Sequence, residues 1–165
     1  MRFFLVRHGE TEWNKLGRFQ GHEDISLNER GMAQAKETAQ AALEWGHCAI
    51  YSSPLVRTVQ VAEEITKVTP MTVSKEPGLK ELSLGDLEGV TGEQMREEWP
   101  IVFAQWRANP EKMSMPNGES LVQLQPYGLE LSSQRMGKIA SKDSKSLCTI
   151  LIETLYPISS ILPLI

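Results

Sequence analysis

A histidine directly after the first apolar run is the earliest residue in this sequence that could do chemistry. Phe3 to Val6 is a short continuous apolar run, typical of a strand buried on both faces, and Arg7-His8-Gly9 follows it. In open α/β sheets, ligands bind at the carboxyl ends of the strands. An imidazole there can present one ring nitrogen to a ligand while a backbone carbonyl holds the proton of the other. Alone, the triplet could equally be a surface loop.

Several further residues suit an anion beside this histidine. Gly9 lets a phosphate approach the backbone, Thr11 can cap the next helical turn, and Asn14 can donate a hydrogen bond. Arg57 lies in the first turn of a predicted helix, where the helix dipole disfavours a cation. Because its planar guanidinium matches phosphate oxygens, a bound anion would explain this arginine, and an ordinary ion pair is the alternative.

The segment from residue 80 to 89 supplies three carboxylates in a loop that ends in glycine. A phosphate ester needs a proton delivered to its departing oxygen, and a partly buried carboxylic acid can deliver it. The spacing alone does not choose among Glu81, Asp86 and Glu88. A solvated acidic loop is the alternative interpretation.

Strands and helices alternate along the chain, which predicts an α/β fold. We expect a three-layer sandwich in which a mainly parallel sheet is flanked by helices. The predicted elements are a strand at Phe3–Val6, a turn of helix near Thr11–Lys15, a helix that Ser26 or Asn28 caps and that runs to Trp45, a strand at Cys48–Tyr51, a helix that Ser53 caps and Pro54 opens, a strand at Met71–Ser74, a helix over Thr91–Trp99 that Pro100 stops, and a further helical stretch at Ile101–Ala108.

Length, charge and cysteine content narrow the class of protein. The 165 residues suit a single domain, and the formal charge of −4 argues against a nucleic-acid binder or a protein of anionic membranes. Cys48 and Cys148 form no metal-ligand pattern, which indicates free thiols in a reducing cytoplasm. The opening apolar run is too short for a signal peptide. One glutamate and two prolines interrupt the apolar stretch from Leu147 to Ile165, so we expect no membrane span.

The character of the sequence changes near Pro126. Residues 1–125 contain seven serines, as many as the last 40 residues, and only three of the 21 acidic residues lie beyond position 125. We therefore interpret residues 1–165 as one domain. Residues 1–125 carry the alternating strands and helices, and residues 126–165 form a divergent tail. A reading-frame shift or a truncation of the gene is our hypothesis for this C-terminally altered part, and resequencing the locus would test it.

Five motifs, in the right order, resemble the histidine phosphatase superfamily, also called the phosphoglycerate mutase-like family. They are Leu5–Asn14, Arg18–Leu27, Ser52–Thr58, Glu81–Gly89 and Pro116–Ser120. The resemblance covers residues 1 to about 125. The Gly-Asp-Leu-Glu-Gly loop and the short chain look more like the small phosphatases, including α-ribazole phosphatase-like members, than like the longer glycolytic mutases.

The resemblance implies a role for each matching residue. His8 would be the nucleophile that becomes phosphohistidine, kept neutral by the nearby arginines, and Glu81, rather than Asp86 or Glu88, would donate the proton. The phosphoryl oxygens would be held by Arg7, Asn14 and Arg57, with Gln20 and Gly21 lining the same pocket. The implied substrate is a small phosphorylated metabolite, and neither a metal nor another cofactor is expected.

The resemblance also implies a second histidine at the end of a later strand, and this sequence lacks it. The three histidines are His8, His22 and His47, and the apolar run Cys148–Ile152, which stands where that strand belongs, is followed by Glu153. Losing one member of a catalytic unit can cost several orders of magnitude in rate, so we expect weak activity at best. The alternatives are a non-catalytic phosphate-binding pseudoenzyme, a mutase-type phosphotransferase and a nonfunctional gene product.

Overall fold

Four parallel strands and the helices beside them make up the computed structural model, which describes residues 2–46, 48–123 and 148–153. His47 and the tail on either side of the last strand lie outside these residues, as do the side chains of Cys48 and Cys148, whose thiol state stays a prediction. In chain order the elements are β1 (Arg2–Arg7), α1 (Glu12–Lys15), α2 (Glu29–Ala42), β2 (Cys48–Ser52), α3 (Val56–Val68), β3 (Val73–Lys75), α4 (Gly92–Glu98), α5 (Pro100–Ala108) and β4 (Cys148–Glu153), with short 3₁₀ turns at Leu43–Trp45, Pro77–Leu79, Gly85–Leu87 and Pro110–Lys112.

The sheet order β1-β4-β2-β3 places the last described strand between the first two. All neighbouring pairs are parallel, so the predicted parallel sheet is confirmed. In the register of β4, Glu153 stands opposite Arg7 of β1, and Ile152 stands opposite Ser52 of β2. The carboxyl ends of these three strands therefore meet at one edge, which is where the loops after Arg7 and Ser52 begin.

One face of the sheet packs against α2 and α3. Small residues let the two helices approach each other, because Ala35, Ala39 and Ala42 of α2 are buried with Val61, Ala62 and Ile65 of α3. Val6 and Ile50 of the strands complete this cluster. The prediction that β1 is buried on both faces is wrong for Leu5, which is 60% exposed. Alternate residues of a strand point to opposite faces, and α2 and α3 cover the face that carries Val6.

A second apolar cluster anchors the segment between β3 and α4. Three leucines of this segment are buried together with three methionines that come later in the sequence: Leu82, Leu84 and Leu87 with Met95, Met113 and Met115. The predicted loop from residue 80 to 89 is thus an irregular segment with one 3₁₀ turn and fixed apolar anchors. Glu81 directly precedes the first anchor, which limits its main-chain freedom.

The N-terminus of α3 differs from the prediction. The helix begins at Val56, so Ser53 does not cap it and Pro54 does not open it. The Val56 N–H group instead donates to Asp24 Oδ1 at 2.6 Å, and Ser53 Oγ accepts from Leu55, one residue before the helix. A remote carboxylate therefore supplies the cap, and it ties the loop after α1 to α3.

Two other predicted helix boundaries have simple outcomes. Asn28 caps α2 by accepting from the Gly31 N–H group at 2.8 Å, as one of the two predicted alternatives. Pro100 follows the end of α4, as predicted, and also occupies the first position of α5, where its missing N–H group costs nothing.

Candidate active site

His8 follows β1 directly, and its ring is buried with a fixed tautomer. Its Nδ1 lies 2.6 Å from the Gly9 carbonyl oxygen. Because a carbonyl can only accept, Nδ1 carries the proton and Nε2 is left with a lone pair. Nε2 is buried and has no hydrogen-bond partner within the described residues. This is the state in which an imidazole can attack an electrophile.

The surroundings of His8 keep the ring uncharged. Burial is the main cause that lowers its pKa to about 4, from an ordinary value of 6.5. The hydrogen bond to the Gly9 carbonyl raises this pKa, and the charges of Arg57 and Arg7 lower it further. Burial therefore lowers this pKa more than the two arginine charges expected from the sequence do. His8 is therefore neutral at physiological pH.

Arg57 is the best connected residue of the site and is completely buried. Its Nη1 donates to the Glu23 carbonyl at 2.7 Å, and its Nη2 donates to the Gly21 carbonyl at 2.8 Å and to Glu81 Oε2 at 3.0 Å. These acceptors offset the unfavourable helix dipole at the start of α3. Arg57 thus joins the loop after α1 to the acidic segment.

Glu81 is 5% exposed, and its two oxygens have different surroundings. Oε2 accepts from Arg57, while Oε1 is buried and lacks a partner among the residues that the structure describes. Burial raises the pKa of Glu81 to about 8, although Arg57 lowers it in part. The carboxyl therefore holds a proton at neutral pH. We expect that proton on Oε1, because Oε2 accepts the hydrogen bond from Arg57.

The other two candidate acids, Asp86 and Glu88, accept hydrogen bonds from neighbouring loop residues. Asp86 is exposed, and its Oδ2 accepts from Asn117 Nδ2 at 2.9 Å. Glu88 Oε1 accepts from the main-chain N–H groups of His22 and Leu84 at 2.9 and 3.0 Å, which braces the segment. Glu81 is buried, has a raised pKa and contacts Arg57, features that suit the proton-donor role implied by the resemblance.

Two amide side chains are oriented through Thr11. Its N–H group donates to Asn14 Oδ1 at 3.0 Å in the cap of α1. The other end of the Asn14 amide, Nδ2, takes no part in this cap. The Thr11 hydroxyl lies 2.8 Å from Gln20 Oε1, which turns Gln20 Nε2 the opposite way. That Nε2 is buried and has no partner in the described part of the chain. Both amides therefore present donors, which suits an anion.

Unpartnered polar atoms mark the site as built for a ligand. His8 Nε2, Gln20 Nε2 and Glu81 Oε1 are all buried without a hydrogen bond to any described residue. Each such atom costs about 1–3 kcal/mol, so three of them from three separate motifs would be expensive without a function. Arg7 is exposed, and its charge still affects the pKa of both His8 and Glu81.

Gly9 and Gly21 both allow close packing of the loops that form the site. A Cβ on Gly9 would lie 2.4 Å from the Gly31 carbonyl oxygen, so this glycine lets the loop after β1 pack on α2. Gly21 has φ +54°, and a Cβ there would lie 2.2 Å from Glu88 Oε1. Its carbonyl holds Arg57, so Gly21 shapes the site through its main chain.

Sequence reasoning assigned no role to several residues that organise the site. Asp24 caps α3, and Glu119 Oε2 accepts from the Ser83 N–H group at 2.9 Å. His22 places its Nε2 2.8 Å from the Glu81 carbonyl oxygen. All three lie within the recognised motifs, but only the folded loops show what their side chains contact.

The described residues contain neither a metal-binding cluster nor a helix able to span a membrane. In residues 2–46, 48–123 and 148–153, no group of three or more histidine, cysteine, aspartate or glutamate side chains could hold a metal ion. Within the same ranges, each helix is too short or too polar to cross a bilayer.

Known proteins share both the sequence pattern and the fold. The profile of the histidine phosphatase superfamily (branch 1) matches residues 3–126. Phosphoserine phosphatase 1 of Hydrogenobacter thermophilus is 41% identical over 121 residues, which cover 73% of this chain and 57% of that protein. A probable phosphoglycerate mutase GpmB of Yersinia pestis is 38% identical over 128 residues, covering 75% and 58%. The chain thus spans less than three fifths of the length of these relatives.

Solved structures agree with this assignment. A mycobacterial glucosyl-3-phosphoglycerate phosphatase in complex with VO3 aligns with a TM-score of 0.80 and 25% identity over 90% of this chain and 73% of that one. YhfR of Bacillus stearothermophilus aligns with a TM-score of 0.79 and 28% identity over 98% and 77%. A putative α-ribazole-5′-P phosphatase of Escherichia coli shares the fold, with a TM-score of 0.79 over 99% and 77% of the two chains. The chain belongs to the histidine phosphatase superfamily.

Proposed function

We propose that this chain is a phosphomonoester phosphatase that works through a phosphohistidine on His8, with Glu81 as proton donor. The observation that carries the proposal is the pairing of protonation states in one buried site. His8 is neutral with a lone pair on Nε2, and Glu81 is a protonated acid with Oε1 unpaired among the described residues. A phosphoryl transfer needs this combination of nucleophile and acid.

In the first step, a bond forms between His8 Nε2 and phosphorus while the bond from phosphorus to the ester oxygen breaks. The proton of Glu81 passes to the departing oxygen, so an alcohol leaves. The charges of Arg57 and Arg7 stabilise the transferring group, and Asn14 Nδ2 and Gln20 Nε2 are the donors that face it. Gly21 lines the pocket and keeps Arg57 in place through its carbonyl.

In the second step, water attacks phosphorus, the bond to His8 Nε2 breaks, and the Glu81 carboxylate takes the proton of the water. Inorganic phosphate leaves, and both residues return to their starting states. A mutase must retain the phosphoenzyme and exclude water. We favour hydrolysis over mutase-type transfer, because the Gly-Asp-Leu-Glu-Gly loop of this chain looks more like that of the small phosphatases. The GpmB relative is named a probable phosphoglycerate mutase, so transfer to a second hydroxyl is the rival reaction.

We further propose that turnover is weak. The sequence has no histidine after β4, and the register puts Glu153 opposite Arg7, at the edge where His8 lies. Neighbouring strands are about 4.8 Å apart, so the main chain of Glu153 lies close to that of Arg7. The resemblance implies a histidine near this point, and we propose that an acidic residue replaces it. If the loss is complete, the chain is a pseudoenzyme that binds phosphate esters without turnover, and this is the second candidate function.

The proposed substrate is a small phosphorylated metabolite. The relatives support this class, since their names refer to phosphoserine, phosphoglycerate and glucosyl-3-phosphoglycerate. With a formal charge of −4, we propose neither nucleic acid nor membrane as a partner, and we place the protein in the cytoplasm.

Hydrolysis of p-nitrophenyl phosphate by the purified chain and by His8→Ala tests the proposal. We expect slow hydrolysis that disappears in His8→Ala. The matched control Arg96→Ala removes an exposed charge far along the chain, on α4, and should hydrolyse normally. Phosphate-dependent thermal stabilisation without turnover would select the binding function instead. Equal hydrolysis by His8→Ala would overturn the mechanism.

A further inference from the structure

We propose that His22 is a positioning residue that fixes Glu81 through its main-chain carbonyl. The inference rests on the proposed role of Glu81 as proton donor. His22 lies in the loop after α1, in the motif that carries Gln20 and Gly21, and the mechanism above gives it no part.

The bond between His22 and Glu81 is direct and has a fixed polarity. His22 Nε2 lies 2.8 Å from the Glu81 carbonyl oxygen. Since a carbonyl can only accept, Nε2 is the donor, which sets the protonated nitrogen of this ring. The His22 side chain is 31% exposed, so the ring is held against the acidic segment and does not extend into solvent.

His22 is also held at its main chain. Its N–H group donates to Glu88 Oε1 at 2.9 Å, and the same oxygen accepts from the Leu84 N–H group at 3.0 Å. Glu119 also contacts this segment, because its Oε2 accepts from the Ser83 N–H group and lies 4.0 Å from His22 Nε2. The ring of His22 therefore has little freedom to leave the Glu81 carbonyl.

Together with Arg57, His22 closes a ring of contacts around Glu81. Arg57 holds the carbonyls of Gly21 and Glu23, on either side of His22, and it also holds Glu81 Oε2. The two loops are thus joined twice at Glu81, once through the carboxyl and once through the main-chain carbonyl. Two attachment points fix the direction of Oε1, whereas one would let the residue pivot on Arg57.

The chemical consequence depends on the leaving group. A misplacement of about 1 Å can cost up to 100-fold in rate when it affects a reacting group. A poor leaving group such as phenolate needs the proton of Glu81 more than p-nitrophenolate does. Loss of His22 should therefore slow phenyl phosphate more than p-nitrophenyl phosphate.

The experiment compares kcat/KM for both esters in the wild type, His22→Ala and His22→Gln. We expect His22→Ala to lower kcat/KM about tenfold or more for phenyl phosphate and roughly two- to threefold for p-nitrophenyl phosphate. The amide that His22→Gln introduces can donate to the same carbonyl, so this second variant should recover most of the loss. Equal losses for the two esters, or no recovery with glutamine, would overturn the inference.

A titration that needs no turnover separates this inference from the proposed function. Carbon-13 NMR of labelled glutamate, with Glu81→Gln to identify the resonance, follows the Glu81 carboxyl directly. In His22→Ala we expect a lower Glu81 pKa, because a carboxyl that pivots gains access to solvent. An unchanged pKa would refute the positioning role, whereas a wild type without turnover or phosphohistidine would refute the proposed function alone.

Discussion

Arg57 Nη2 lies 3.0 Å from Glu81 Oε2, and both side chains are almost completely buried. An adjacent guanidinium normally lowers the pKa of a carboxyl, yet burial outweighs this effect and raises the pKa of Glu81 to about 8. The same burial lowers the pKa of His8 to about 4. Burial thus favours a neutral imidazole at His8 and a protonated carboxyl at Glu81, the two states that the proposed phosphoryl transfer requires.

The pH dependence of kcat/KM should follow these two groups. Activity needs neutral His8 and protonated Glu81, so we expect a bell-shaped profile that falls below about pH 4 and above about pH 8. Glu81→Gln cannot lose a proton, so the alkaline limb should vanish while the overall rate drops. Steady-state kinetics with phenyl phosphate, whose poor leaving group needs the proton of Glu81, measures the profile from about pH 3.5 upward. An alkaline limb that persists in Glu81→Gln would assign it to another group.

Stability should fall as the pH rises through neutrality. In the unfolded chain Glu81 loses its proton near its ordinary pKa of 4.5, whereas the folded chain holds it to about 8, so rising pH in this window favours unfolding. His8 has the opposite effect between 6.5 and about 4, where falling pH favours unfolding. Of these two groups, Glu81 accounts for most of the change above pH 6.5.

Urea unfolding at pH 6.5 and pH 8 isolates that contribution. We expect the free energy of unfolding to drop by up to about 2 kcal/mol across this window in the wild type and to stay nearly level in Glu81→Gln. Asp86→Asn, which alters an exposed carboxyl of the same segment, should behave as the wild type. A wild-type slope that survives Glu81→Gln would contradict the assignment.

Truncation of Arg57 should be costly for folding as well as for phosphate binding. Arg57→Ala leaves two carbonyls and a buried carboxyl without their donor, so we expect a loss of about 3–5 kcal/mol in the free energy of unfolding. Arg57→Lys offers one ammonium in place of a planar fork and should recover little. Arg96→Ala, at an arginine side chain that is 52% exposed, is the control and should change stability by under about 0.5 kcal/mol. Chemical denaturation measures all three variants.

Two glycines separate backbone strain from close packing. Gly17 and Gly21 have similar positive φ values, +65° and +54°, but a Cβ on Gly17 meets nothing within 4 Å, whereas one on Gly21 would lie 2.2 Å from Glu88 Oε1. Gly17→Ala should cost about 1 kcal/mol from the backbone alone. Gly21→Ala should cost about 1–3 kcal/mol more and should weaken vanadate binding, since the Gly21 carbonyl holds Arg57. Equal effects in unfolding experiments would show that the contact with Glu88 is unimportant.

The sequence was most informative where local patterns decide the structure. The strand before His8 and a cap at Asn28, one of two predicted alternatives, follow from short-range rules, and both are present in the structure. The strand at Cys148–Glu153 lies where the family resemblance implied a later strand. The parallel order of the sheet follows from the alternation of elements. The five motifs then identified the family.

What the sequence could not provide are contacts between distant loops. Ser53 looked like the cap of α3, but Asp24, 32 residues before Val56, supplies it. Spacing left three acids equivalent, and only the fold shows that Arg57 contacts Glu81. The contact of His22 with a carbonyl 59 residues away has no local signal either.

Trapping the phosphoenzyme tests the central claim most directly. A rapid alkaline quench during turnover, followed by intact-mass and peptide mass spectrometry, should find one acid-labile phosphoryl group on His8 in the wild type. The label should be absent from His8→Ala. In Glu81→Gln the label should still form from p-nitrophenyl phosphate, whose departing group needs little proton assistance. A phosphoryl group on another residue, or undiminished turnover by His8→Ala, would contradict the account.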